Sequence, residues 1–81
     1  MVDEETTTIT VVGGHNCPKC ATAVRLLKEA DITFMHYNME DLDQSARLRY
    51  MNMAKDAGQR GLPIILKNDT IVKLEDIINE N

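Results

Sequence analysis

Two cysteines three positions apart, Cys17 and Cys20, most constrain what this chain can become. At 81 residues it has the length of one domain. A chain this short buries only about 60–65% of the surface its unfolded form exposes. Small scaffolds often compensate with several disulfides or a structural metal. A bridge between Cys17 and Cys20 would close a tiny loop and barely restrict the unfolded chain. These cysteines are poor staples, so the fold has to rest on an apolar core, which 43% hydrophobic residues make feasible.

The stretch from Met1 to Thr8 lacks the basic and apolar regions of a secretory signal. No apolar run reaches the length of a membrane span. The expectation is a cytoplasmic, monomeric protein with no membrane partner. In that compartment thiols are kept reduced, and a close cysteine pair serves catalysis or metal binding more often than structure. Nine basic against 13 acidic residues leave a net charge of −4, which argues against a nucleic-acid partner. With no Trp, one Phe and two Tyr there is little to stack on bases.

Residues 1–6 read as an acidic tail and residues 7–81 as the domain. Thr7 to Val12 is a β-branched run that predicts a strand, closed by Gly13-Gly14. Pro18 suits a first helical position, where its fixed φ helps and its missing N–H costs nothing, so Cys17 becomes the N-cap. Cys20, Ala23, Val24 and Leu27 then form one apolar stripe of a helix over Pro18–Ala30. A second strand is expected over Ile32–Met39. A second helix follows over Asp43–Ala57, with Leu48, Met51 and Ala54 inward and Gly58 as its stop. Ile64–Leu66 and Thr70–Val72 read as a hairpin around Asn68-Asp69, without the usual Gly. Leu74–Asn81 closes as a short helix. The order β-α-β-α-β-β-α implies a right-handed opening crossover and a four-stranded mixed sheet covered by helices.

Cys17-Pro18-Lys19-Cys20 between a strand and a helix is a redox signature. Helix positions i and i+3 share a face about 5–6 Å apart, within the roughly 4.4–6.8 Å between Cα atoms that a disulfide needs. Cys17, at the helix N-terminus, meets free N–H groups and the positive end of the macrodipole. Such placement lowers a thiol pKa from about 8.5 towards roughly 3.5–7.5. Nucleophilicity falls as the pKa falls, so the net gain in attack is only about threefold, and the larger gain is in leaving-group quality. Cys17 is therefore assigned as the nucleophile. Cys20, one turn in and on the apolar stripe, is the resolving thiol. Lys19 faces solvent between them and adds a little anion stabilisation. His15 reads as a solvated loop residue that favours the Cys17 thiolate when protonated.

The alternative is a thiol-based metal or ligand binding module without exchange activity. Zinc wants four ligands, and beyond the cysteines only His15 and His36 are candidates of the usual kind. Their spacing matches no zinc finger, so no metal is expected. The five methionines read as core filler. An interaction domain that has lost its chemistry is a further alternative, weakened by the intact pair.

With Cys17-Pro18-Lys19-Cys20 after the first strand and Leu62-Pro63 before the third, the chain resembles the glutaredoxin branch of the thioredoxin superfamily. The match in element order runs from Ile9 onward. Gly58-Gln59-Arg60-Gly61-Leu62-Pro63 is similar to a segment of the glutaredoxin-like electron donors of ribonucleotide reductase, and of small clostridial-type redoxins with Cys-Pro-Lys-Cys. The resemblance implies a thioredoxin-like fold and a protein disulfide oxidoreductase. It implies that Pro63 is cis and faces the cysteines, and that the Leu62 backbone pairs with an extended substrate, as an added strand would. From the residues alone, Pro63 reads as a trans proline opening a strand.

The partners implied are a disulfide-containing protein, ribonucleotide reductase among the candidates, and a thioredoxin reductase-like flavoprotein or glutathione for regeneration. No tightly bound cofactor is expected. Two departures bear on the partners. The ribonucleotide reductase donors carry a Trp-Ser-Gly-Phe stretch after the last strand, and this chain has no Trp. Glutaredoxins carry Gly-Gly and an acidic residue there, where glutathione binds, and this chain has Val72-Lys73. Glycine lets a backbone approach a ligand closely, whereas Val72 is β-branched and disfavours φ > 0. Lys73 and Arg60 offer exposed charges worth about 0–1 kcal/mol each, so weak use of glutathione is expected.

Overall fold

The computed structural model describes residues 7–59 and 61–79. The acidic tail over 1–6, Arg60 and the last two positions of the expected final helix lie outside the described residues. The chain runs β1 (Ile9–Gly13), α1 (Pro18–Glu29), β2 (Met35–Asn38), a 3-10 turn (Met39–Asp41), α2 (Gln44–Asp56), β3 (Ile64–Lys67), β4 (Thr70–Val72) and α3 (Leu74–Asn79). The strands form one sheet in the order β2-β1-β3-β4. β1 pairs in parallel with β2 and antiparallel with β3, and β3 and β4 form the hairpin. This is the mixed, four-stranded thioredoxin-like sheet expected.

The pleat of the two central strands sorts the core. Ile9, Val11 and Ile65 face one side and pack with Ala23 and Leu27 of α1 and Ile77 of α3. Val12, Ile64 and Leu66 face the other and pack with Ala54 of α2. Successive side chains of a strand point to opposite faces, so a strand covered on both sides reads as an unbroken apolar run. β1 is buried at every residue, which fits its central place. Leu27 is 0% exposed, and burying such a leucine contributes roughly 1.5–3 kcal/mol.

The second strand corrects the expectation of Ile32–Met39. Only Met35–Asn38 pairs, opposite Thr10–Gly13. Ile32 and Phe34 instead plug the α1 side of the core from the connection. β1 is short, so its edge partner can be no longer. Met39–Asp41 turns into the 3-10 segment, which periodicity did not reveal.

The second helix also differs in its buried face. Leu48 and Met51 are each 51% exposed, while Tyr50, Met53 and Ala54 pack on the sheet. These three share a helical face at three- and four-residue spacing, and the sheet selected that stripe over the competing one. Asp43 caps the helix, its Oδ1 accepting from the Ala46 N–H at 2.8 Å.

The turns follow local stereochemistry. Asp31 at φ 63° ends α1, with the Ile32 N–H donating to the Leu27 carbonyl at 3.0 Å. Asn68 at φ 59° takes the left-handed place of the missing hairpin Gly. It also anchors the start of β1. Its N–H donates to the Thr8 carbonyl at 2.7 Å, and its Oδ1 accepts from the Thr8 N–H at 3.0 Å.

Candidate redox site

The site lies where β1 ends and α1 begins. Cys17 is the N-cap of α1, with extended φ −133° and ψ 98°, and Pro18 opens the helix. Cys17 and Cys20 are joined as a disulfide, with their Cα atoms 5.2 Å apart. The Cys20 N–H donates to the Cys17 Sγ at 3.2 Å, so a helix-terminal donor already points at that sulfur. Cys17 is half-buried, whereas Cys20 is 2% exposed and belongs to the buried face of α1. Lys19 is exposed between them.

Room for the buried sulfur comes from Gly13. A Cβ there would lie 2.9 Å from the Cys20 Cβ and 3.1 Å from its Sγ, and His36 Nε2 would be 3.7 Å away. The sequence presented Gly13 only as the end of a strand. His36, considered above as a metal ligand, thus sits on the sheet beneath the start of α1. Among the described residues, no group of three or more His, Cys, Asp or Glu side chains could hold a metal ion.

Two acidic residues missed by sequence reasoning hold the loop before Cys17. The His15 N–H donates to the Glu40 carboxylate, with both oxygens 3.3 Å away. The His15 ring lies with Nε2 3.3 Å from the Asp41 carboxylate. Both His15 and Asp41 are more than half exposed, which agrees with a solvated loop residue. No local pattern could have found these contacts, because Glu40 and Asp41 lie 25 and 26 residues further on.

The Leu62–Pro63 peptide is cis, as the resemblance implies. Gly58, at φ 76°, ends α2 and reverses the chain towards it. Gln59 then donates from Nε2 to the Pro63 carbonyl at 2.7 Å, bracing the turn from within. Leu62 is half-buried, and its Cδ1 would meet a Cβ on Gly14 at 3.1 Å. Pro63 lines a groove of about 410 Å³ together with Lys19, Thr22, Val72 and Lys73. The structure thus brings Pro63 and Lys19 to one groove. Val72 is paired with Ile65 and half-buried against the α1 side of the core.

The arrangement can open and close a disulfide with one partly accessible and one buried sulfur. A family model described as Glutaredoxin matches residues 7–72. The fold is similar to that of wheat glutaredoxin, with a TM-score of 0.68 and 20% identity over 90% of this chain and 71% of that one. It is similar to glutaredoxin-1 of Archaeoglobus fulgidus, with a TM-score of 0.66 and 18% identity over 94% and 87% of the two chains. NrdH-redoxin of Escherichia coli gives a TM-score of 0.66 and 21% identity over 90% and 92%. No curated protein matches the sequence.

Proposed function

Because this chain belongs to the glutaredoxin family, whose members work on disulfide substrates, we propose that it is a dithiol reductant of protein disulfides. In the reduced form the Cys17 thiolate attacks one sulfur of a partner disulfide and releases the other as a thiolate. Cys20, deprotonated, then attacks the Cys17 sulfur of the mixed disulfide. The second partner thiolate leaves and the Cys17–Cys20 disulfide remains. Two electrons have passed to the partner, and an external reductant restores the pair.

One observation carries this reading: Cys17 is the partly accessible N-cap sulfur with an N–H aimed at it, while Cys20 is buried behind it. The helix terminus supports the thiolate both as attacker and as leaving group. The cis Pro63 and the backbone of Leu62 fit the role of pairing with an extended substrate, and Pro63 shares its groove with Lys19 of the Cys17-Pro18-Lys19-Cys20 turn. The metal-binding alternative lacks a converging ligand set among the described residues.

For regeneration, in the cytoplasm, the reading favours a thioredoxin reductase-like flavoprotein over glutathione. Val72 and Lys73 stand where glutaredoxins keep glycines, and Val72 is committed to β4 and the core. The Escherichia coli relative is a glutaredoxin-like protein with a thioredoxin-like activity profile, and that profile suits this chain. The resemblance of the segment ending in Leu62-Pro63 keeps ribonucleotide reductase among the candidate partners. Insulin reduction by the wild type and two variants tests the mechanism. Cys17→Ser should be inert, and Cys20→Ser should accumulate a mixed disulfide with substrate. The opposite pattern would reverse the roles, and an inactive wild type would end the reading.

A further inference from the structure

Helix α1 separates two grooves. Thr22 and Ala23 face the groove of Pro63, whereas Ala21, Val24, Arg25 and Lys28 face a second one of about 510 Å³. Cys17, Cys20, His15 and His36 also line this second groove, so it opens at the sulfurs. Among the described residues, no carboxylate lines it. That is notable on a chain of net charge −4.

The charges around the groove are sorted along its length. At the sulfur end, Glu40 holds the His15 N–H and Asp41 lies against the His15 ring. At the far end stand Arg25 and Lys28. Glu29 approaches Arg25 only at 3.9 Å, in an exposed pair. Lys28 has no ion pair among the described residues. A helix rises about 1.5 Å per residue, which puts Arg25 about 12 Å and Lys28 about 16 Å beyond Cys17 along the axis. An extended peptide advances about 3.3 Å per residue. A substrate whose cysteine sits at Cys17 and whose chain follows this groove meets the two cations about four to five residues away.

We propose that this groove binds the chain flanking the reacting cysteine of a substrate protein and selects Asp or Glu about four to five residues from it. The proposal rests on the dithiol-reductant reading and names the class of substrate. Charge complementarity identifies the occupant. An acidic side chain next to the cysteine would meet Glu40 and Asp41, and one further along meets Arg25 and Lys28. Complementary charge of this kind raises encounter rate and fixes register.

Symmetric peptide disulfides of equal length test this with the reduced full chain in single turnover. Each carries Asp, Asn or Lys about four positions from its cysteine, on one side or the other. On one of the two sides Asp should be reduced roughly threefold to tenfold faster than Asn, the scale of two exposed ion pairs, and Lys slower than Asn. About 0.5 M salt should compress the differences. The double variant Arg25→Glu, Lys28→Glu should reverse the order of Asp and Lys. Equal rates for all peptides, with insulin still reduced, would overturn the proposal and leave the dithiol reading standing. Failure to reduce either peptides or insulin would overturn both.

Discussion

Gly13 faces Cys20 so closely that a methyl group on its Cα would lie 2.9 Å from the cysteine Cβ. The end of the central strand and the first turn of α1 touch through this missing side chain. The obstacle is a Cβ tied to helix backbone, so no rotamer change relieves it. Gly13→Ala should therefore destabilise the fold by about 1–3 kcal/mol, the usual range for overpacking. It should also slow resolution by Cys20 more than attack by Cys17. Urea unfolding together with the decay rate of a preformed mixed disulfide measures both. An alanine variant with unchanged midpoint and decay would show that the contact has no such consequence.

Reduced Cys17 should ionise well below the ordinary thiol value of about 8.5, because the helix terminus and the Cys20 N–H favour its thiolate. Cys20, buried on the apolar face of α1, should lack that advantage. Alkylation across pH, read separately at each cysteine by mass spectrometry, should show Cys17 reacting first and levelling off at lower pH. Two cysteines rising together near pH 8.5 would contradict this.

Asp43→Ala removes the acceptor that holds the Ala46 N–H at 2.8 Å. Loss of such a cap costs about 0.5–2 kcal/mol. The site lies on another helix, so insulin reduction at a temperature where the variant is folded should be unchanged. A shift in denaturation midpoint without a change in turnover is the expected result.

Turnover of a glutathione mixed disulfide with glutathione alone should be poor beside turnover with a thioredoxin reductase. Val72 and Lys73 are not among the described residues with positive φ, so their backbone does not mimic a glycine pair. The exposed Lys73 charge recovers little affinity. Efficient cycling with glutathione alone would move the regeneration route back to the one usual for glutaredoxins.

The sequence by itself determined what depends on neighbours along the chain. Pro18 at the first helical position, Cys17 as its cap and the stripe from Cys20 to Leu27 all follow from backbone sterics and from the helical repeat. The left-handed stops at Gly58 and Asn68 are local in the same sense. Tertiary structure alone decided what depends on residues meeting from afar. The length of β2 was set by how much of β1 it could pair with, which sent Ile32 and Phe34 into the core outside any strand. α2 offered two apolar stripes, and only the sheet beneath it chose Tyr50, Met53 and Ala54 over Leu48 and Met51. Glu40 and Asp41 reached the loop before Cys17 because β2 runs parallel to β1 and delivers its end to the same edge. Propensity and periodicity act over three or four residues, whereas these contacts form only once register and packing have brought distant segments together.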